Sequence, residues 1–338
     1  DNHCPHQRGP LGEGSIEKGS DGKCWIRCPW HGWDFDPLTG TPPGGHEDSG
    51  QKLYPLRIDG DEIFIGLEPE PPHERTVTDV MAETMVNWGV NTVFGMVGHS
   101  NLGMADALRL QEEAGKLRYI GIRHEGAAAF AAGAYGKLTG RPAAALAIAG
   151  PGATNLLTGL WDAHVDRAPA LALTGQVKSQ FLGRGAFQEI DLKAAFGGVA
   201  AFSANVLHDS DYAELMNLAC KNAILERGVA HLVFPDEVQM LPGEGLEASG
   251  PAGRMPDLRT APPTSAVEAA AARLAQAKRP VIIVGHGARN AMPEVREFAE
   301  KLGIPVLTTF KGKSLIADDH PLGCGVLGRS GTPVASWF

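Results

Sequence analysis

Cys4-Pro5-His6 and Cys28-Pro29-Trp30-His31 form two cysteine-histidine hooks, one C-x-H and one C-x-x-H, with 21 residues between His6 and Cys28. Two thiolates and two imidazoles suit a tetrahedral zinc ion, or a [2Fe–2S] cluster in which two histidines replace two cysteines on one iron. Residue type alone does not separate the two. A second reactive group stands downstream, where Arg123-His124-Glu125 opens an alanine-rich stretch with helical spacing. A zinc protease needs a second histidine four residues after the first, and position 128 holds alanine, so that chemistry is excluded. A lone carboxylate at a helix N-terminus is otherwise a cap or a dipole partner. Gly150-Pro151-Gly152-Ala153-Thr154-Asn155 likewise follows an apolar run and opens a helix, an arrangement in which glycine lets backbone amides approach a ligand. Gly285 and Gly287 make a bare G-x-G, which is weak evidence for a dinucleotide site.

The elements that must position these groups fall into three blocks. Residues 67–75 and 242–264 are rich in proline and glycine and read as linkers, giving domains over 1–67, 75–242 and 264–338. In the first block, short alternating runs over 52–58 and 62–65, with Asp59-Gly60 as a hairpin turn, read as a small all-β unit. The second block alternates strands (92–97, 119–122, 143–149, 170–174, 231–234) with helices (101–112, 125–138, 153–165, 211–226). That repeat predicts a doubly wound α/β domain whose parallel sheet is covered on both faces. The third block repeats the theme with helices over 265–277 and 293–302 and strands over 280–284 and 305–308.

Composition narrows the function classes. The chain has 338 residues, 43% hydrophobic and 20% charged, which excludes disordered and fibrous classes. No run approaches the roughly 18 apolar residues of a membrane span, and no basic-then-apolar signal opens the chain, so the cytoplasm is the expected compartment. Five cysteines are too few for a disulfide scaffold; Cys24, with no partner in the hook pattern, reads as a buried thiol. Residues 1–74 carry six Lys and Arg against fourteen Asp and Glu, nearly all of the net charge of −9. With no basic patch, nucleic acid and anionic membrane are unexpected partners.

The text around the hooks, NHCPHQRGPLGEG and CPWHGWDFDPLTG, resembles the cluster-binding loops of Rieske ferredoxins and of the Rieske domains of ring-hydroxylating oxygenases. The resemblance implies a [2Fe–2S] cluster with Cys4 and Cys28 on one iron and His6 and His31 on the other. The extra cysteines of respiratory Rieske proteins are missing here, so a potential near the low end of the Rieske range, about −150 mV, is implied. Rieske domains carry strands before the first hook, and by that measure the domain reads as cut at its N-terminus.

Residues 123–177, RHEGAAAFAAGAYGKLTGRPAAALAIAGPGATNLLTGLWDAHVDRAPALALTGQV, resemble the pyrimidine-binding domain of thiamine-diphosphate enzymes of the acetolactate synthase and pyruvate oxidase family. A weaker likeness spans 77–238, and 280–331 resembles the family's central domain. In that family a glutamate at the position of Glu125 contacts N1′ of the aminopyrimidine, where a carboxylate favours the imino tautomer that takes the thiazolium proton. The resemblance lays Gly150, Pro151, Gly152 and Asn155 against the cofactor. It also makes Gly98, in FGMVGHSN, part of the first glycine loop, with Val97 where proline is usual. Phe187 and Gln188, in GRGAFQEIDL, match a segment bordering the active-site channel; the alternative is a helix cap beside a core phenylalanine. RPVIIVGHGARNA and TTFKGKSLIADDHPLGCGVLGRSG are similar to a central domain that holds FAD in some relatives and lacks it in others. Gly285, Gly287, Thr308 and Gly328 are the implied FAD contacts.

The family's third domain binds the diphosphate through Mg²⁺ with a GDG motif, which these 338 residues lack; Asp59-Gly60-Asp61 belongs to the first-block turn. The resemblance therefore implies a chain that stops inside the central domain and does not complete a thiamine site alone. The site in relatives forms between subunits, so a homodimer or homotetramer is expected. The implied function is a thiamine-diphosphate-dependent oxidative decarboxylase of a small 2-oxo acid, pyruvate or a near relative. Its electrons would pass to FAD and then singly through the cluster to an electron carrier. Alternatives are an acetolactate synthase-like carboligase with a regulatory or structural Rieske unit, an electron-transfer protein with a non-catalytic α/β scaffold, and a zinc-bound module ahead of an enzyme.

Overall fold

The computed structural model describes residues 3–5, 10–20, 22–43, 50–66, 73–257 and 259–338. Residues 1–254 form one compact unit that begins with two small antiparallel sheets. Strands β1 (Ser15–Lys18), β2 (Cys24–Arg27) and β3 (Asp34–Phe35) pair in that order. Arg27 lies opposite Asp34 in the register and grips its carboxylate with two hydrogen bonds of 2.8 Å. Beneath them Cys4, Leu11, Cys28 and Phe35 are buried together, with Ile26 and Trp33 packed on them. Cys24 departs from the expected buried thiol: it is exposed at the first position of β2, at the rim of a sheet too small to cover it. The hairpin that follows pairs β4 (Leu56–Asp59) with β5 (Glu62–Ile65). Its two-residue loop is Gly60-Asp61, one step beyond the expected Asp59-Gly60. Gly60, at φ +60°, supplies the left-handed first position that such a loop requires. Residues 52–55 lie outside the strand, where Pro55 has no N–H to pair.

From Thr76 the chain becomes α/β. Thr76 and Asp79 close a capping box on α1 (Val77–Asn87), a helix that the strand-and-helix reading of the sequence did not contain. Six strands follow: β6 (Thr92–Gly95), β7 (Arg118–Gly121), β8 (Ala143–Ala147), β9 (Ala170–Gln176), β10 (Ala200–Asn205) and β11 (Val229–Pro235). They form one parallel sheet in the order β10-β11-β9-β8-β6-β7. Around it run α2 (Leu102–Glu113), α3 (Glu125–Thr139), α4 (Pro151–Asn155), α5 (Leu157–Val165), α6 (Leu192–Phe196), α7 (Tyr212–Leu225) and α8 (Asp236–Gln239). Strands β8, β9 and β11 are buried along their whole length, which is why they read as unbroken apolar runs. Strand β10 was not foreseen, because it is a half-exposed edge strand whose Ala-Ala-Phe-Ser-Ala-Asn has no alternation. The helix expected over 153–165 is two helices, and the first begins earlier, since Pro151 fits a first turn where its missing N–H costs nothing. On the outer layer, Lys137 of α3 lies 2.5 Å from Asp162 of α5 and 2.7 Å from Asp166 just past its end, holding the two helices in register.

His231 occupies the middle of β11, fully buried and stacked on Phe196 at 3.8 Å. Its Nε2 lies 2.8 Å from the Thr174 hydroxyl and its Nδ1 2.9 Å from the Ser203 hydroxyl. Burial without a counter-charge pushes the imidazole down to about 3. Below the unfolded-state value near 6.5 the unfolded chain binds a proton that the folded chain refuses, so stability falls as pH drops through that interval. Between pH 7 and pH 5 the loss from this group alone is expected to be about 2 kcal/mol. Urea unfolding of the wild type and of His231→Gln at both pH values checks it: the variant should lose markedly less stability on acidification, and equal losses would refute the assignment.

Residues 255–338 form the second compact unit. Helices α9 (Thr264–Ala275), α10 (Met292–Leu302) and α11 (Pro333–Trp337) accompany three parallel strands, β12 (Ile282–Val284), β13 (Val306–Thr308) and β14 (Gly323–Val326), which pair in chain order. Val284, Met292, Ala299, Val306 and Ile316 make its core. Strand β14 and α11 add to the sequence expectation; Gly-Cys-Gly-Val offers no periodic signal. Among the described residues no helix is long and apolar enough to cross a membrane.

Candidate active site and cluster centre

The order of the larger sheet contains a reversal. From β6 the chain steps outward to β7, then returns past β6 to β8 and continues the other way. Loops leaving the carboxyl ends of β6 and β8 therefore diverge, and the crevice between them is where an open α/β sheet takes a ligand. Gly98 lies on the first of these loops and Gly150 on the second.

Glu125 is the first residue of α3 and is only 5% exposed. Its helix is capped by His124, whose Nδ1 accepts the Gly126 N–H at 3.1 Å, so the glutamate is released from capping duty and turns inward. Its Oε2 accepts a hydrogen bond from Asn155 Nδ2 at 3.0 Å. Its Oε1 has no donor among the described residues and faces Gly152, where a Cβ would stand 3.0 Å from it and 2.5 Å from Ile148. Gly150 has φ +65°, and a Cβ there would lie 2.8 Å from both Cβ and the carbonyl oxygen of Gln188. Only glycine fits these two positions, and the fit brings Glu125, Gln188 and Ile148 around one backbone turn. Gly98 borders the same group from the other loop, in contact range of Ile148, with its N–H bound to Asn101 Oδ1 at 2.9 Å.

Gln188 carries a left-handed backbone, φ +66°, and its Oε1 is buried without a hydrogen-bond partner among the described residues. Phe187 beside it is 82% exposed, which overturns the alternative of a core phenylalanine at a helix cap: the residue sits on an open loop. Two contributors escaped the sequence reading. Ser100, fully buried, accepts the Ala149 N–H on its hydroxyl at 2.9 Å and so ties the first loop to the second. Ile148 is the apolar wedge between Gly98 and Gly152. A serine two residues after a loop glycine was the one available hint; nothing distinguished Ile148 from its strand.

In the first block, the thiols of Cys4 and Cys28 are each 1% exposed and share one buried cluster. His31 is exposed on the turn that follows Cys28, closed by the Gly32 N–H to the Cys28 carbonyl at 3.0 Å. Its ring meets exposed Trp30 edge to face, centroids 6.4 Å apart. His6 lies outside the described residues. Among the described residues no three His, Cys, Asp or Glu side chains converge as a mononuclear metal site requires. In the second unit, Gly285 follows β12, Thr308 ends β13 and Gly328 follows β14, all at the carboxyl edge of that sheet. Gly287 lies on a 3₁₀ turn, His286–Ala288, ahead of α10, which begins at Met292, one residue before the helix start expected at 293.

Residues 1–55 match the family model of the Rieske [2Fe–2S] domain, residues 75–195 that of the thiamine pyrophosphate enzyme N-terminal TPP binding domain, and residues 267–337 that of the thiamine pyrophosphate enzyme central domain. A Bacillus subtilis protein named for thiamine pyrophosphate, YdaP, is 38% identical over 263 residues, 77% of this chain and 45% of that protein. Pyruvate oxidase of Lactiplantibacillus plantarum is 33% identical over 244 residues, 72% of this chain and 40% of the enzyme. The large subunit of acetolactate synthase isozyme 2 of Escherichia coli is 35% identical over 255 residues, 74% of this chain and 44% of that subunit. The chain spans less than half the length of these relatives.

Proposed function

Because the chain carries a Rieske [2Fe–2S] domain ahead of the N-terminal and central domains of a thiamine pyrophosphate enzyme in the pyruvate oxidase and acetolactate synthase family, we propose that it serves the oxidative decarboxylation of a small 2-oxo acid. Pyruvate or a near relative is the proposed substrate, with electrons leaving through the iron–sulfur domain. The observation that carries this reading is the group of residues gathered at the carboxyl ends of β6 and β8. There Glu125 Oε1 and the buried Gln188 Oε1 both lack donors among the described residues. Two orphaned acceptors beside a glycine turn fit a ring that donates hydrogen bonds, as the aminopyrimidine of thiamine diphosphate does. When bound, that cofactor supplies the electron sink for the carbon–carbon bond broken as CO₂ leaves.

The chain's own part is to present and orient. Asn155 occupies Glu125 Oε2 and fixes the carboxylate, leaving Oε1 to hold a proton on the partner nitrogen. Gly98, Gly150 and Gly152, with Pro151 starting α4, keep the crevice free of side chains, and Gln188 offers a second acceptor. Phe187 brings an apolar ring to the channel, where it limits water. In the first block, buried Cys4 and Cys28 with surface His31 fit a two-iron cluster held by thiolates at one end and imidazoles at the other, His6 being the fourth proposed ligand. Such a cluster supplies one-electron transfer. The exposed His31 and Trp30 pair is the proposed contact for the electron carrier. Gly285, Gly287, Thr308 and Gly328 are the contacts proposed for FAD. A second copy of the chain is proposed against α3 and α5, where Phe130, Leu138, Trp161 and Val165 expose an apolar face.

Carboligation is the second reading, favoured by an identity with acetolactate synthase that matches the one with pyruvate oxidase. Product analysis of the holoenzyme supplied with pyruvate separates them. Oxidative decarboxylation yields one CO₂ and one two-carbon product per pyruvate and consumes an electron acceptor. Acetolactate formed at one CO₂ per two pyruvates, with no acceptor consumed, would reject the proposal in favour of the second reading.

A further inference from the structure

The loop after β9 is built around one carboxylate. It leaves the strand through a 3₁₀ turn, Ser179–Phe181, and bends at Gly183 and Gly185, both with positive φ. It then reaches Gln188, a non-glycine residue held left-handed at φ +66°, a conformation that is energetically costly for a residue with a Cβ. Glu189 follows. One of its carboxylate oxygens accepts the Gly183 N–H, the other accepts the Ala186 N–H at 2.9 Å, and its own N–H donates to the Ala186 carbonyl at 3.0 Å. Backbone N–H groups of Gly183, Ala186, Gly185 and Arg184 together hold the carboxyl below its ordinary range, so it is ionised throughout the neutral region. The loop's ends are tied separately, the Ser179 N–H to the Glu237 carboxylate at 3.0 and 3.2 Å and Gln176 Nε2 to the Ile190 carbonyl at 2.8 Å, while Phe181, Leu182 and Phe187 between them are exposed and contribute no core. Within the loop, Gln188 lies against Gly150 and its buried Oε1 has no partner among the described residues.

We propose that Glu189 is a positioning residue: seated on the loop's own amides, its carboxylate fixes the backbone that sets Gln188 in the crevice and Phe187 at its mouth. The inference rests on the proposed function only in taking that crevice as the place where cofactor and 2-oxo acid meet. Because the anion sits on backbone donors, its effect is local, and α3 and the sheet should not depend on it.

Hydrogen exchange of the wild type, Glu189→Ala and Glu189→Gln tests the inference, read in peptides covering 181–190 and in peptides from α3. Charge-assisted hydrogen bonds of this kind hold amides closed, so exchange in 181–190 is expected to accelerate at least about tenfold in Glu189→Ala. Glu189→Gln, which keeps the shape and one acceptor, should recover part of that protection, with α3 unchanged and the thermal midpoint retained. In the holoenzyme the same order, wild type above Gln above Ala, is expected in kcat/KM for pyruvate. Unaltered exchange in 181–190, or a loss of protection spread over α3 and the sheet with a lowered midpoint, would overturn the inference. If the wild-type holoenzyme releases no CO₂ from pyruvate while the exchange pattern holds, the proposed function fails and the pinning of the loop by Glu189 stands.

Discussion

Glu125→Gln is expected to slow CO₂ release from pyruvate by the holoenzyme roughly 10²–10⁴-fold, the range for loss of a positioned acid–base group. The substitution is isosteric. Its carbonyl oxygen can still take the Asn155 amide, as Oε2 does at 3.0 Å, and the His124 cap on α3 is untouched, so the fold should survive. What is lost is the carboxyl oxygen at the Oε1 position beside Gly152. Circular dichroism and the thermal midpoint check the fold, and initial rates of CO₂ release check the chemistry. A variant within a factor of about three of the wild type would remove Glu125 from the reaction, because an interaction worth less than 1 kcal/mol is not acid–base catalysis.

Cys28→Ser is expected to abolish iron and sulfide binding, leaving a protein without the visible bands of an iron–sulfur cluster and with its α/β unit intact. Cys28 is one of two thiols in a buried cluster of four residues, and a serine hydroxyl is a poor substitute for a thiolate ligand to iron. The core of the larger sheet is a separate set of residues centred on alanines and leucines of β8, β9, α3 and α5, so it should unfold at the wild-type midpoint. Cys24→Ser is the internal control. Cys24 is exposed on the rim of β2, and its loss should leave iron content and visible spectrum unchanged. Full iron content in Cys28→Ser would displace the hook assignment; loss of iron in Cys24→Ser would redirect it.

The parts of this molecule legible from sequence are those in which local pattern and chemistry coincide. The hooks carry their ligand types in fixed spacing, and β8, β9 and β11 are apolar along their length because they are buried on both faces. Glu125 was singled out by the resemblance of the text around it, since a carboxylate opening an alanine-rich helix reads by itself as a cap or a dipole partner. The elements that escaped depend on tertiary context. Ser100 matters through one hydrogen bond to Ala149, 49 residues away, and Ile148 through its fit between Gly98 of one loop and Gly152 of α4. Strand β10 is stabilised by its pairing with β11 rather than by its own composition. The exposure of Cys24 reflects how little sheet surrounds it, and residue type says nothing of that. Gln188 was found by resemblance, but its left-handed backbone and the carboxylate of Glu189 that underlies it emerge only when the loop is seen folded.

The central claim is that carbon chemistry in the crevice and one-electron chemistry in the first block belong to one reaction. Its most direct test is rapid anaerobic mixing of the oxidised holoenzyme with pyruvate while the visible absorbance of the iron–sulfur cluster is followed beside CO₂ release. The account predicts that the cluster bleaches at the rate of CO₂ release and that Glu125→Gln suppresses both together. A cluster that stays oxidised while CO₂ is released at full rate would contradict it.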